Sequence, residues 1–333
     1  MQSIVVLAGG VGGAKFVGGL VGELARRHPD ASDRPAVKVI VNTGDDMWLT
    51  GLRVCPDLDS IMYALAGVND AERGWGRAGE SSRVSGELAA YGVGWPWFTL
   101  GDLDLGTHIA RTALLRDGLT LTEATARLGA RWHAGAGLPA TLLPMSDDPV
   151  ETHVRVTIDG DDALLHFEEW WVRLRAGIPA REFVQVGVES ARPTPEVLAA
   201  VAAADLVLLA PSNPVVSIGT ILGVPGMREA LAAAPAPIVG VSPIIAGAAV
   251  RGMADSCLAA IGVETSALGV AGHYGARSTG GVLDAWLVAE EDAAAVPQVH
   301  ALGIRSAAVP LWMRDAATST ALAGAALDAA GRQ

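Results

Sequence analysis

The stretch VNTGDDMWLTGLRVCPDLDS, residues 41–60, carries four aspartates, Asp45, Asp46, Asp57 and Asp59, and a single basic residue, Arg53. It continues the apolar run VKVIV (37–41), which reads as a strand buried on both faces of a parallel sheet. Carboxylates gathered at the end of such a strand suit Mg2+, a hard cation held by one or two carboxylates plus substrate phosphates. Asp57 opens the next helical pattern and can equally serve as an N-cap. A second chemistry-bearing loop, AGGVGGAK (8–15), follows the strand IVVLA (4–8). Its glycines at 9, 10, 12 and 13 let the backbone approach a phosphate at a helix N-terminus. The dinucleotide spacing G-x-G-x-x-G fails, because Lys15 stands where the third glycine belongs. A tight strand–helix turn is the plainer use of the same glycines.

Three more stretches draw attention. PSNPVVSIGT (211–220) follows the apolar run DLVLLA and offers Ser212, Asn213 and Ser217 as hydrogen-bonding groups; SPIIAG (242–247) follows PIVGV in the same way. WPWFTLGDLDLGTHIAR (95–111) sets Trp95, Trp97 and Phe98 beside Asp102, Asp104 and His108. Rings at this density suit stacking on a flat heterocycle, or filling the root of an insertion. LPMSDDPV (143–150) adds Asp147 and Asp148 in a turn-like context.

The elements that must hold these loops alternate strand and helix. IVVLA, an amphipathic helix over 14–28 and VKVIV form a βαβ unit. Strands recur at 152–158, 183–188, 205–210 and 237–241, with a helix capped by Thr194 and opened by Pro195. Residues 70–135 lack a strand pattern and read as a helical insertion, with a capping box at Thr120 and Glu123. The expected fold is a Rossmann-like, three-layer α/β core (1–69 and 136–333) around a mostly parallel sheet, carrying that smaller insertion. Ligands on such sheets bind beyond the carboxyl ends of the strands, where every loop named above falls.

Bulk composition excludes some partners. Subtracting 36 acids from 24 bases gives −12, the wrong sign for non-specific nucleic-acid binding or docking on anionic lipid. Two cysteines, Cys55 and Cys257, make no disulfide framework. With no run long enough to span a membrane, a cytoplasmic location is expected.

Taken in order, AGGVGGAK, NTGDD, PDLDS, LGDLDLGTHIAR, LPMSDDPV, PSNPVVSIG, PGMR and VSPII resemble the transferases that build the deazaflavin coenzyme F-420 from its precursor Fo. Archaeal members are 2-phospho-L-lactate transferases, and actinobacterial members phosphoenolpyruvyl transferases. The resemblance covers most of the chain and lies closest to the actinobacterial branch. It implies a homodimer, dependence on Mg2+, and transfer from a guanosine diphosphate ester to the terminal ribityl hydroxyl of Fo, with release of GMP. Carried over residue by residue, Gly10, Gly12, Gly13, Lys15, Ser212, Asn213 and Ser217 would bind the donor. Asp45, Asp57 and Asp59 would hold the metal, while Asp59, Thr99 and Trp97 would contact Fo. Asp45 or Asp59, with His108 behind them, would act in catalysis. Archaeal members carry a basic residue where this chain has Thr99, so hydroxyl or backbone contact replaces charge pairing there. Whether the donor carries phosphoenolpyruvate or phospholactate is not legible in these residues. A non-catalytic, nucleotide-sugar-binding regulator with similar loops is the alternative from another class.

Overall fold

A computed structural model describes residues 1–70, 72–133, 137–250 and 252–331. Its centre is a seven-stranded parallel sheet. In chain order its strands are β1 (Ser3–Ala8), β2 (Ala36–Val41), β5 (Thr141–Pro144), β9 (Leu206–Leu209), β10 (Ile238–Val241), β13 (Ala285–Ala289) and β14 (Arg305–Val309). In space they run β14-β13-β10-β9-β1-β2-β5. The chain therefore builds outward from β1 in one direction and returns to build from β9 in the other. That reversal opens a crevice between the carboxyl ends of β1 and β9.

Both faces of the sheet are covered, which is why its strands are continuously apolar. Ile4, Val6 and Ala8 of β1 pack with Phe16, Val17 and Leu20 of α1 (Gly10–Arg27), Leu58 and Ile61 of α2 (Pro56–Ala66), and Leu322 and Ala326 of the last helix, Ala316–Gly331. Val5 and Leu7, pointing the other way, pack with Val197, Ile218, Ile221, Leu231 and Trp286. The Thr194 cap and Pro195 start are as expected, with Thr194 Oγ1 accepting from the Val197 amide. The insertion is helical, comprising α3 (Arg83–Ala90), α4 (Asp102–Arg116) and α5 (Leu121–Gly129). Thr120 and Glu123 close the capping box on α5. The expected boundary at 135/136 lies outside the described residues.

Three details refine that reading. The strands at 152–158 and 183–188 exist, as β6 (Glu151–Ile158) and β8 (Glu182–Val186), but outside the parallel sheet. With β7 (Asp161–His166) they form an antiparallel sheet of their own. The alternation in THVRVTI was already that of a strand with one face covered. The acidic segment itself contains a hairpin, β3 (Met47–Leu49) and β4 (Leu52–Val54), too short for a periodicity signal. A second small hairpin pairs β11 (Ile244–Ile245) with β12 (Ala248–Ala249). Finally, α1 begins at Gly10 rather than residue 14, so the glycine run is its first turn.

Candidate active site

A cavity of about 550 Å3 lies over the β1/β9 crevice. Its floor is the turn after β1 (Gly9, Gly10, Gly12) and the loop after β9 (Ser212, Asn213, Ser217). The two loops are stitched together: Ser212 Oγ accepts from the Gly9 amide at 3.0 Å and donates to the Gly9 carbonyl at 2.7 Å. A Cβ at Gly12 would sit 2.8 Å from the Pro211 carbonyl, and one at Gly9 2.5 Å from Asp57 Oδ2. The abundance of glycine is thus required by close packing of two loops and an acid, independently of any phosphate. Gly13 packs against Ser212 and is not on the cavity wall. Lys15 is also off the wall, its Nζ donating to the Met313 carbonyl at 3.2 Å.

The acids separate into two groups. Asn42, the first residue of NTGDD, donates from one amide nitrogen to Asp45 Oδ2 (3.2 Å) and Asp57 Oδ2 (2.9 Å). Asp57 Oδ1 accepts from the Gly10 amide at 2.7 Å. Asp57 therefore satisfies the first turn of α1, not of its own helix α2, where no side-chain cap is present. Glu168 joins this group from the segment that follows β7, as the residue that caps a π-helical turn at Glu169–Arg173. Burial pushes the Asp45 carboxyl well above the ordinary range, reinforced by the charges of Asp57, Glu168 and Asp46. Burial also raises Asp57 to about 6, against the hydrogen bonds from Asn42 and Gly10, and Glu168 to about 8, reinforced by Asp57. Asp45 Oδ1 is buried without a partner among the described residues. Asp46 leaves the site altogether, pairing with Arg53 at 3.3 Å.

Asp59 belongs to a second group. Two residues apart on a helix, Asp57 and Asp59 point in different directions. Asp59 is gripped at both oxygens by the Arg111 guanidinium of α4, one contact being 3.1 Å. His108 Nδ1 lies 3.4 Å from Asp59 Oδ2, and its Nε2 3.4 Å from Asp104 Oδ1. Asp104 Oδ1 accepts from the Tyr63 hydroxyl at 2.7 Å. Burial works against ionisation of Asp104, but the contacts with His108 and Tyr63 prevail and hold its carboxyl below the ordinary range. Asp59, Asp104 and His108 each bring a ligand atom within 4.8 Å of the others, a spacing that suits a cation; Arg111 already supplies a positive charge there. Trp97, Phe98 and Thr99 close one wall, with Trp97 stacked on Trp95 at 4.7 Å between centroids. Phe167 and Trp171 line another part of it.

Tyr63, Asp104, Arg111 and Glu168 were missing from the expected site. The positions 104, 108 and 111 share one helical face, a spacing visible in LGDLDLGTHIAR. Glu168 left no such signal, because it arrives from the segment after β7. Asp147 and Asp148 take structural roles, Asp147 accepting from Thr122 at the start of α5 and Asp148 from the Arg192 amide.

A doubly wound sheet with an acidic cleft at its strand reversal, roofed in part by a helical insertion, defines an α/β protein whose ligands bind across the switch point. The chain belongs to the 2-phospho-L-lactate transferase CofD family, whose model matches residues 4–308. It is 54% identical to the phosphoenolpyruvate transferase of Streptomyces griseus over 327 residues, covering 98% of both chains. With the phosphoenolpyruvate transferase of Mycobacterium marinum it shares 52% identity over 335 residues and 99% of both chains. Among solved structures it is similar to Bacillus halodurans protein BH3568, with a TM-score of 0.63 at 18% identity over 98% of this chain and 99% of that one, a likeness of fold.

Proposed function

We propose that this protein transfers a phosphoenolpyruvyl group from a guanosine diphosphate ester to the terminal ribityl hydroxyl of Fo, releasing GMP. Its end-to-end similarity to phosphoenolpyruvate transferases favours this donor over phospholactate. One observation carries the reading at the site: a single cavity joins the glycine and Ser212 loops to an acid- and aromatic-lined wall, room for a donor and an acceptor side by side. Incubation with both substrates should yield GMP and a product two hydrogens lighter than the phospholactyl compound. Binding of Fo without GMP formation would instead favour a non-catalytic binding protein.

Among the described residues no lysine or arginine lines the cavity, and these must meet an anionic donor's charge otherwise. Backbone amides at the start of α1 offer part of the answer. Asp45, Asp57 and Glu168 would hold Mg2+: they offer hard oxygen donors, one of them unpartnered, in a buried place where their own repulsion opposes ionisation. When bound, Mg2+ supplies neutralisation of charge on the diphosphate and on departing GMP. The chain's own residues hold the acceptor hydroxyl in line with the phosphorus. In such transfers positioning provides much of the rate. Among the described residues no side chain resembles an activated nucleophile with a paired base, and no covalent intermediate is proposed.

This arrangement has a pH signature. Unfolded carboxylates lose protons near pH 4, whereas Asp57 and Glu168 keep theirs to about 6 and about 8. Between those limits the folded state binds more protons than the unfolded state. Stability of the cation-free protein is therefore expected to fall as pH rises from about 4 to about 8. Millimolar Mg2+ should raise the thermal midpoint more at pH 8 than at pH 5; an equal effect at both would remove these acids from the metal site.

Trp97, stacked on Trp95 at the cavity wall, would present its face to the flat ring of Fo. Trp97→Ala is expected to raise the KM for Fo by roughly 10- to 100-fold, the scale of one lost stacking contact. The donor KM should change little; a donor-only effect would move Trp97 to the other half of the site. Assembly as a homodimer in the cytoplasm completes the proposal, with light scattering as the test of mass. Among the described residues no helix is long and apolar enough to cross a membrane.

A further inference from the structure

Asp59 is the obvious acid to receive the proton of the acceptor hydroxyl, yet its surroundings argue against it. Both of its carboxylate oxygens are engaged by Arg111, a buried guanidinium with 1% exposure that never gives up its charge. The same NH1 that binds Asp59 Oδ2 lies 3.3 Å from His108 Nδ1. A guanidinium can only donate, and accepting from it at 3.3 Å, in preference to donating to Asp59 Oδ2 at 3.4 Å, puts a lone pair on His108 Nδ1. The neutral imidazole then carries its proton on Nε2. That nitrogen is 3.4 Å from Asp104 Oδ1 and makes no hydrogen bond among the described residues.

Asp104 is thereby held from three sides. Tyr63 of α2 donates to Oδ1, His108, on α4 with Asp104 itself, sets Nε2 3.4 Å from that oxygen, and Glu80 accepts from the Asp104 amide at 3.0 Å. Among the described residues no hydrogen bond reaches Asp104 Oδ2, and Asp104 lines the cavity. One carboxylate of this cluster is saturated, and the other keeps an oxygen open.

We propose that Asp104, through Oδ2, accepts the hydrogen bond of the acceptor hydroxyl and takes its proton, with Tyr63, His108 and Arg111 as positioning residues. The inference rests on the transfer reaction proposed above. As the acceptor oxygen bonds to phosphorus, the bond from phosphorus to the GMP oxygen breaks and its electron pair leaves with GMP. The hydroxyl proton passes to Asp104 Oδ2, giving a neutral carboxyl that later returns it to solvent. A weakly basic carboxylate suffices, because bond formation to the attacking oxygen lags in this kind of transfer.

The first test needs no turnover. In protein labelled with 15N-histidine, the His108 ring should show a proton on Nε2 and a bare Nδ1; protonated Nδ1 would overturn the proposal. Titration with Mg2+ should leave those resonances in place, whereas a large shift would mark Asp59, Asp104 and His108 as a metal site instead. The second test compares Asp104→Asn with the wild type. Loss of proton transfer at one group is expected to lower kcat by about 10²- to 10³-fold. Affinity for GDP with Mg2+ should stay within about twofold and Asp104→Glu should recover part of the rate. A kcat for Asp104→Asn within a few-fold of wild type would overturn the assignment; absence of GMP release by the wild type would instead sink the transfer reaction, leaving the histidine tautomer as measured.

Should Asp104→Asn fail to fold, Tyr63→Phe replaces it. Asp104 is faced by Tyr63 and Asp59 from α2, by His108 and Arg111 from α4, and by Glu80 from the loop before α3. Removing only the Tyr63 hydroxyl should make Asp104 more basic and move the acid limb of the kcat–pH profile upward. An unmoved limb would count against Asp104.

Discussion

Asp45→Ala is expected to lower the rate of transfer by about 10³-fold or more, on the scale of the several kcal/mol that metal-assisted charge stabilisation supplies. The same substitution should leave the cation-free protein at least as stable as the wild type. Asp45 is 6% exposed, one of its oxygens has no partner, and burial with the neighbouring acids opposes its ionisation. Removing it relieves repulsion on Asp57 and Glu168, at the risk of a small void. Activity and stability should therefore move in opposite or independent directions, as where a site is arranged for a ligand rather than for the fold. Scanning calorimetry with and without Mg2+, beside GMP release, reads both. Turnover near the wild-type level would remove Asp45 from the site. A collapse of the thermal midpoint would make it structural.

Arg111→Met should behave in the reverse manner, damaging the fold first. It leaves Asp59 buried beside His108 and Asp104 with no cation to balance it. Breaking one side of a buried ion pair typically costs about 3–5 kcal/mol. The Arg111 guanidinium also reaches the Arg53 carbonyl at 3.3 Å, so α4 loses a tie to the hairpin strand β4. The double variant Arg111→Met/Asp59→Leu should recover much of that loss, because it removes the stranded charge. Urea unfolding of both variants checks this. A single variant less than about 1 kcal/mol below wild type would show the pair to be dispensable for folding.

The two predictions differ because the four aspartates of residues 41–60 do four different things. Asp45 is left partly unpartnered in the cavity, Asp46 pairs with Arg53, Asp57 serves the first turn of α1, and Asp59 is locked to Arg111. Local spacing could not have sorted them. Asp45 meets Asn42 3 positions away and Asp46 meets Arg53 through the β3–β4 hairpin, but the partners of Asp57 and Asp59 stand 47 and 52 positions away, and only packing of α1, α2 and α4 brings those pairs together.

What the sequence by itself determined was the frame. Continuous apolar runs specified strands covered on both sides, and β-to-α alternation specified a parallel sheet. The rule that ligands gather beyond strand ends then pointed to the loops after β1, β2 and β9. Family motifs in order added the class of chemistry. These features are local, written in periodicity and turn residues. The tertiary structure alone decided the electrostatics. It brought Glu168 from the segment after β7 to the acids after β2. It placed Tyr63 and Arg111 around Asp104 and His108, and it explained three glycines by the loops they touch. Such facts depend on burial and on partners remote in sequence, so a carboxylate's role follows from the side chains that surround it, which no spacing of aspartates encodes.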